Sequence, residues 1–126
     1  MPHLAVHLPE NRLAGNEPAL IAALTDAVVG VYGDWARDLV GVRLAGVPAG
    51  RFGQGGKAVD TCASVVLGVR AGVFDRPDAA EITARLGAAL TDAITRVLGD
   101  DFRAGATVEL VASRPERTFV GGVPAA

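Results

Sequence analysis

The feature that most constrains this chain is an internal repeat. The same order of patterns runs through it twice, each time over about 60 residues: a short strand-like run, a helical stretch, a second strand and a glycine-rich turn. In the first half, Leu4, Val6 and Leu8 alternate with His3, Ala5 and His7, which is the period of a strand. A helix is predicted from about Asn16 to Val31, with Asn16 as N-cap, Pro18 in the first turn and Gly33 as the stop. The second strand is predicted from Leu39 to Val47. In the second half, the strand runs from Cys62 to Val69 and the helix from about Asp78 to Leu98. Asp78 and Glu81 have the spacing of a capping box, and Gly99 is the stop. Ile82, Leu86, Leu90, Ile94 and Val97 form an apolar stripe at helical spacing, with Arg85, Asp92 and Arg96 off it. A last strand covers Ala106 to Ala112. Arg51 precedes Gly55-Gly56 by four residues, and Arg117 precedes Gly121-Gly122 by the same four. Phe52 and Phe119 lie inside these two turns.

A β-α-β unit makes two parallel strands with a right-handed helical crossover on one face. Two such units predict an α/β (α+β) fold: a four-stranded mixed sheet with both helices on one side. The 126 residues suit a single domain with one core, built from repeats at about 2–57 and about 60–123. The other sheet face is left without cover, and that predicts an oligomer. The apolar run Ala19-Leu20-Ile21-Ala22-Ala23-Leu24 points the same way.

Several function classes are excluded at this level. Half of the residues are hydrophobic, 21% are charged and the formal net charge is −2, with the signs mixed along the chain. No nucleic-acid partner and no polybasic membrane contact is expected. The single cysteine, Cys62, sits in an apolar run and is expected to be a buried thiol. No apolar stretch has the length of a membrane span, and Met1-Pro2-His3-Leu4-Ala5 lacks a signal-peptide pattern, so the expected location is cytoplasmic. His3 and His7 share a strand face but have no third ligand at useful spacing, so no metal is expected. Gly53-Gln54-Gly55-Gly56 lacks the Lys-Ser/Thr of a phosphate loop.

The start at Met1-Pro2, the arginine ten residues after that proline (Arg12), Val42-Arg43-Leu44 and Arg51-Phe52-Gly53-Gln54-Gly55-Gly56 resemble 4-oxalocrotonate tautomerase. The doubled unit resembles the longer members of the tautomerase superfamily. These include 5-(carboxymethyl)-2-hydroxymuconate isomerase, malonate semialdehyde decarboxylase, cis-3-chloroacrylic acid dehalogenase and macrophage migration inhibitory factor. The resemblance implies a homotrimer and a site built on Pro2, the N-terminal residue once Met1 is removed. The second half begins at Asp60-Thr61-Cys62 and offers no such proline, so three sites per trimer are expected.

A free N-terminal proline is a secondary amine. An α-amino group titrates at roughly 7.7–8.0, and burial or a nearby cation lowers that value toward a useful acid–base range. The resemblance implies Pro2 as general acid–base, Arg12 gripping the substrate carboxylate, and Arg43 polarising its oxo group. Arginine's planar fork suits a carboxylate. By the same likeness Phe52 keeps the site dry, while Arg70 and Arg76 bind a carboxylate as in the dehalogenase and decarboxylase branches. Asp38 lines up with their water-activating carboxylate. The expected activity is a cofactor-independent isomerase that moves a proton between the enol and keto forms of a 2-hydroxy-dienoate or 2-oxo acid. The alternatives are a dehalogenase, hydratase or decarboxylase of a three-carbon acid, and a non-catalytic trimer like macrophage migration inhibitory factor.

Overall fold

The computed structural model describes residues 2–125. The first unit consists of strand β1 (His3–Pro9), a single helical turn α1 (Glu10–Leu13), helix α2 (Glu17–Tyr32), strand β2 (Gly41–Val47) and a small hairpin of β3 (Gly53–Gln54) and β4 (Lys57–Ala58). The second unit repeats this order with β5 (Ala63–Arg70), helix α3 (Ala79–Leu98), β6 (Ala106–Ser113) and the hairpin of β7 (Phe119–Val120) and β8 (Val123–Pro124). Short 3-10 turns over Asp34–Leu39, Ala71–Asp75 and Asp100–Phe102 join the elements.

The four long strands form one sheet in the order β2-β1-β5-β6. β1 and β2 run parallel, as do β5 and β6, while β1 and β5 are antiparallel. This is the mixed sheet that two tandem β-α-β units dictate, with α2 and α3 packed together on one face. Leu4, Val6 and Leu8 of β1 and Val65, Leu67 and Val69 of β5 point into the core, each at most 1% exposed. Leu20, Leu24 and Val28 of α2 and Ile82, Leu86, Leu90 and Ile94 of α3 meet them. The apolar stripe read along α3 is therefore the buried one, and Val97 packs at its edge.

Among the described residues, no helix covers the opposite face of the sheet. His3, Ala5 and His7 stand there on β1, beside Arg43 and Ala45 of β2 and Val66 of β5. Arg43, Ala5, Val66 and Glu109 form one row across the four strands, a cation on one edge strand and an anion on the other. Both charged side chains are exposed.

Three local expectations are corrected. Leu39 does not open β2 but closes the 3-10 turn before it, so that strand begins at Gly41. Asp78 stands at the N-cap of α3 without forming a capping box: its carboxylate accepts two hydrogen bonds from Arg76, at 2.9 and 3.1 Å, and none from the helix. Asn16 likewise caps α2 only through its backbone, because its side-chain amide donates back to the carbonyl of Arg12. The two glycine-rich turns are two-residue hairpin loops. Gly55 and Gly56 take φ of 61° and 80°, and Gly121 and Gly122 take 59° and 80°, the left-handed pair that a tight hairpin requires. Cys62 is buried, 7% exposed.

Leu86 is fully buried at the centre of the α3 stripe. Leu86→Ala is expected to lower the free energy of unfolding by roughly 2–5 kcal/mol through lost burial and the cavity left behind. Chemical denaturation followed by circular dichroism measures it; a loss below about 1 kcal/mol would contradict this packing.

Candidate active site

The crossover topology decides which residues can meet. A helix that links two parallel strands ends where the strands begin. The C-terminus of α2 therefore comes to the start of β1, where Pro2 lies. β5 runs antiparallel to β1, so its end arrives there too. The result is a cavity of about 390 Å³ walled by Pro2, by Tyr32, Trp35 and Leu39 from the end of α2 and the turn after it, and by Val69, Arg70 and Val73 from the end of β5. Val120 and Ala125 of the C-terminal hairpin region complete the wall. Pro2 is buried, and its carbonyl accepts a hydrogen bond from the Gly41 amide at 3.1 Å, which ties it to the start of β2.

The turn after α2 shapes this wall. Gly33 ends the helix with φ 112°, and a Cβ there would come within 3.1 Å of the Trp35 ring. Glycine thus both reverses the chain and lets the indole fold back. Trp35 Nε1 donates to the Tyr32 carbonyl at 2.8 Å, and the two rings pack edge-on with centroids 6.2 Å apart. Trp35 remains 66% exposed, an unusual position for so large an apolar ring. Burial raises the Tyr32 phenol above its ordinary range of about 10, while the Arg76 guanidinium opposes part of that rise.

Of the charged side chains singled out in the sequence, only Arg70 lines the cavity. Among the described residues it makes no ion pair and no side-chain hydrogen bond. Arg76 stands at the start of α3 and is engaged by Asp78, whose carboxyl it holds below the usual range. Arg12 does not stand beside Pro2 within the chain. The chain crosses the whole of β1 between them, roughly 20 Å at about 3.3 Å per residue. At the far end, Arg12 bonds Asp101 at 3.3 Å and the Leu98 carbonyl at 3.1 Å, and lies 4.7 Å over the Phe102 ring. Arg43 projects from the open face of the sheet, away from the cavity. Phe52 lines a different recess, beside Pro9, Pro48 and Val59. Asp38 is exposed in the turn next to Arg37, whose guanidinium bonds Asp26 at 2.8 Å. It does not reach the cavity wall, so a water-activating carboxylate beside Pro2 has no support here. Removal of Met1 lies outside the described residues.

The structure adds Tyr32, Trp35, Leu39, Val69, Val73, Val120 and Ala125 to the residues singled out in the sequence. Native fused 4-OT superposes on this chain with a TM-score of 0.82 at 29% identity, over 98% of this chain and 95% of that one. The chain therefore has the tautomerase-like fold seen in fused 4-OT. A fused 4-OT described as an asymmetric trimer matches it equally well, with a TM-score of 0.82, 27% identity and the same coverage. Pt0534, in a structure inactivated by 2-oxo-3-pentynoate, gives 0.83 over 98% and 95% of the two chains; at 22% identity that likeness concerns the tautomerase fold alone. No protein-family model and no curated protein sequence matches the chain.

Tyr32 is the only tyrosine, so phenolate absorbance near 295 nm reports on it directly. Its midpoint is expected above that of free tyrosine, about 10. The unfolded chain gives up this proton first, so the Tyr32 contribution to stability falls as pH rises past that value. A midpoint at or below 10 would show a solvated phenol.

Proposed function

We propose that the chain is a cofactor-independent tautomerase acting on a 2-hydroxy-dienoate or 2-oxo acid, with Pro2, freed by loss of Met1, as general acid–base. The observation that carries this reading is the surroundings of Pro2: a mostly apolar cavity with one cation, Arg70, on its wall. An amine placed there is harder to protonate, both by desolvation and by the like charge of the guanidinium. It can then take a proton near neutral pH. The fused 4-OT structures support the assignment by fold.

In this reading Arg70 holds the substrate carboxylate through its planar fork. Pro2 nitrogen takes the proton from the 2-hydroxyl group. The electron pair of that O–H bond forms the C2 carbonyl, the double bond shifts, and the same proton is returned to a chain carbon. No electrons leave the system and no cofactor is called for. Arg12, held by Asp101 and Leu98, is given no part. Arg76, paired with Asp78, and Phe52, in the far recess, are likewise given no part.

We further assign the chain to a homotrimer of the kind described for fused 4-OT. The uncovered sheet face and the unlike charges of Arg43 and Glu109 on its two edge strands support a head-to-tail ring. There the β2 edge of one protomer meets the β6 edge of the next. Arg43 then comes to an active site only from a neighbouring copy, where it would polarise the substrate oxygen.

The test begins with an intact mass that lacks Met1. The decay of 2-hydroxymuconate or phenylenolpyruvate absorbance then compares the native chain with Pro2→Ala. Ketonisation is expected to fall by about 10²-fold or more in the variant, and sedimentation is expected to give three chains per particle. Equal rates with Met1 gone would sink the isomerase reading; a monomer would sink the ring.

A further inference from the structure

The Pro2 cavity offers a bound molecule few polar groups, and that limits what its substrate can be. Its volume of about 390 Å³ lies within the roughly 300–1,000 Å³ of small-molecule sites. Among the described residues, Arg70 is the one charged side chain on its wall, and it is exposed. Trp35 lines the same cavity and is 66% exposed, so its ring is open to a ligand and not packed into the core. The indole N–H is committed to the Tyr32 carbonyl at 2.8 Å, which leaves a flat apolar surface. Leu39, Val73 and Val120 continue that surface. Arg76, nearby at the start of α3, is held by two hydrogen bonds to Asp78. Arg43 of a neighbouring copy already has the C2 oxygen in the proposed reaction.

An acid whose carboxylate is held by Arg70 must lay its other end along this apolar wall. A second carboxylate at that end would give up water and meet no cation or donor, which disfavours it strongly. An apolar end loses nothing by leaving water, and an aromatic ring gains a stacked or edge-on contact with the indole. We propose that the substrate is a monocarboxylic 2-oxo acid, or its enol, with an apolar and preferably aromatic tail. Trp35 is the residue that selects it over a dicarboxylic acid such as 2-hydroxymuconate. The inference rests on the tautomerase reading of this site and narrows the substrate class named there.

Turnover and binding test this separately. In the native chain without Met1, kcat/KM for ketonisation of phenylenolpyruvate is expected to exceed that of 2-hydroxymuconate by at least about tenfold. Trp35→Arg removes the ring and puts a second cation on the wall, and is expected to move that ratio at least about tenfold toward the diacid. Trp35→Phe keeps an apolar ring and is expected to keep the preference. Binding is read without turnover by calorimetry on the native chain with two inert acids, 3-phenylpropionate and adipate. The first is expected to bind at least about tenfold more tightly and to change the fluorescence of Trp35, the single tryptophan. Equal or tighter binding of adipate overturns the proposal, as does no binding of 3-phenylpropionate. So does a substrate ratio that Trp35→Arg leaves in place, or 3-phenylpropionate binding to which Trp35 is silent. An indole signal that follows protein concentration and ignores the acid shows a neighbouring copy seated on Trp35, which also overturns it. Ketonisation that survives Pro2→Ala would sink the tautomerase reading alone, and the two inert acids would still decide what the cavity selects.

Discussion

The antiparallel pairing of β1 with β5 is the constraint on which the rest of the molecule depends. Each β-α-β unit has only two long strands and one helix, too little to close a core alone. Pairing Ala5 with Val66 at the middle of the joint, with His3 opposite Gly68 and His7 opposite Ser64, relates the two units by an approximate two-fold. The strand period does the remainder. Once Leu4 faces the helices, Val6 and Leu8 must follow, and across the joint Leu67 and Val65 face the same way. A slip of one residue would turn all of these outward.

The same joint places two chemically different ends on one sheet. Because the units are antiparallel, the start of β1 lies beside the end of β5, and the start of β5 beside the end of β1. Gly33 and Gly99 close their helices alike, and two residues further on stand Trp35 and Asp101. Three residues beyond the strand ends stand Arg12 after β1 and Val73 after β5. At one end this brings Trp35 and Val73 to Pro2. At the other it brings Asp101 to Arg12, over Phe102.

These topological rules also explain what was legible in the sequence. The order of elements, the four-stranded sheet and the α3 stripe could all be read, because each rests on periodicity repeated in both halves. So could the helix stops at Gly33 and Gly99; the side-chain caps at the helix starts could not, because a side chain such as Asp78 chooses between the helix amides and a neighbouring arginine, and Arg76 wins. The case of Arg12 is of another kind. Its role came from the resemblance, and a residue that follows β1 must lie at the opposite end of that strand from Pro2 of the same chain. The crossover rule, applied to side chains as well as strands, would have placed it there. It would also have marked Tyr32 and Trp35, since the end of α2 must return to the start of β1. Asp38 was singled out by its line-up with the decarboxylase branch, and a turn residue carries no periodic signal that would place its side chain. Arg43 was read correctly as a strand residue, but which face carries it to a partner is a property of the assembly.

The contrast between the two ends bears on why the proline belongs where it does. An ion pair such as Arg12–Asp101, half open to water, contributes little to stability, but it puts charge at its end of the sheet. A basic nitrogen there would lie beside the Asp101 carboxylate, which favours its protonated form and raises its pKa. At the Pro2 end the wall is formed by Val69, Val73, Leu39 and Trp35, and the one charge is positive. Desolvation and like charge then act in the same direction on the amine, while the same guanidinium attracts an anionic substrate. In the proposed reaction, one arginine would favour both the bound acid and the unprotonated base that acts on it. The two tandem units supply two equivalent ends; among the described residues, the cavity wall at the Pro2 end carries no carboxylate, which suits acid–base chemistry on an amine near neutral pH.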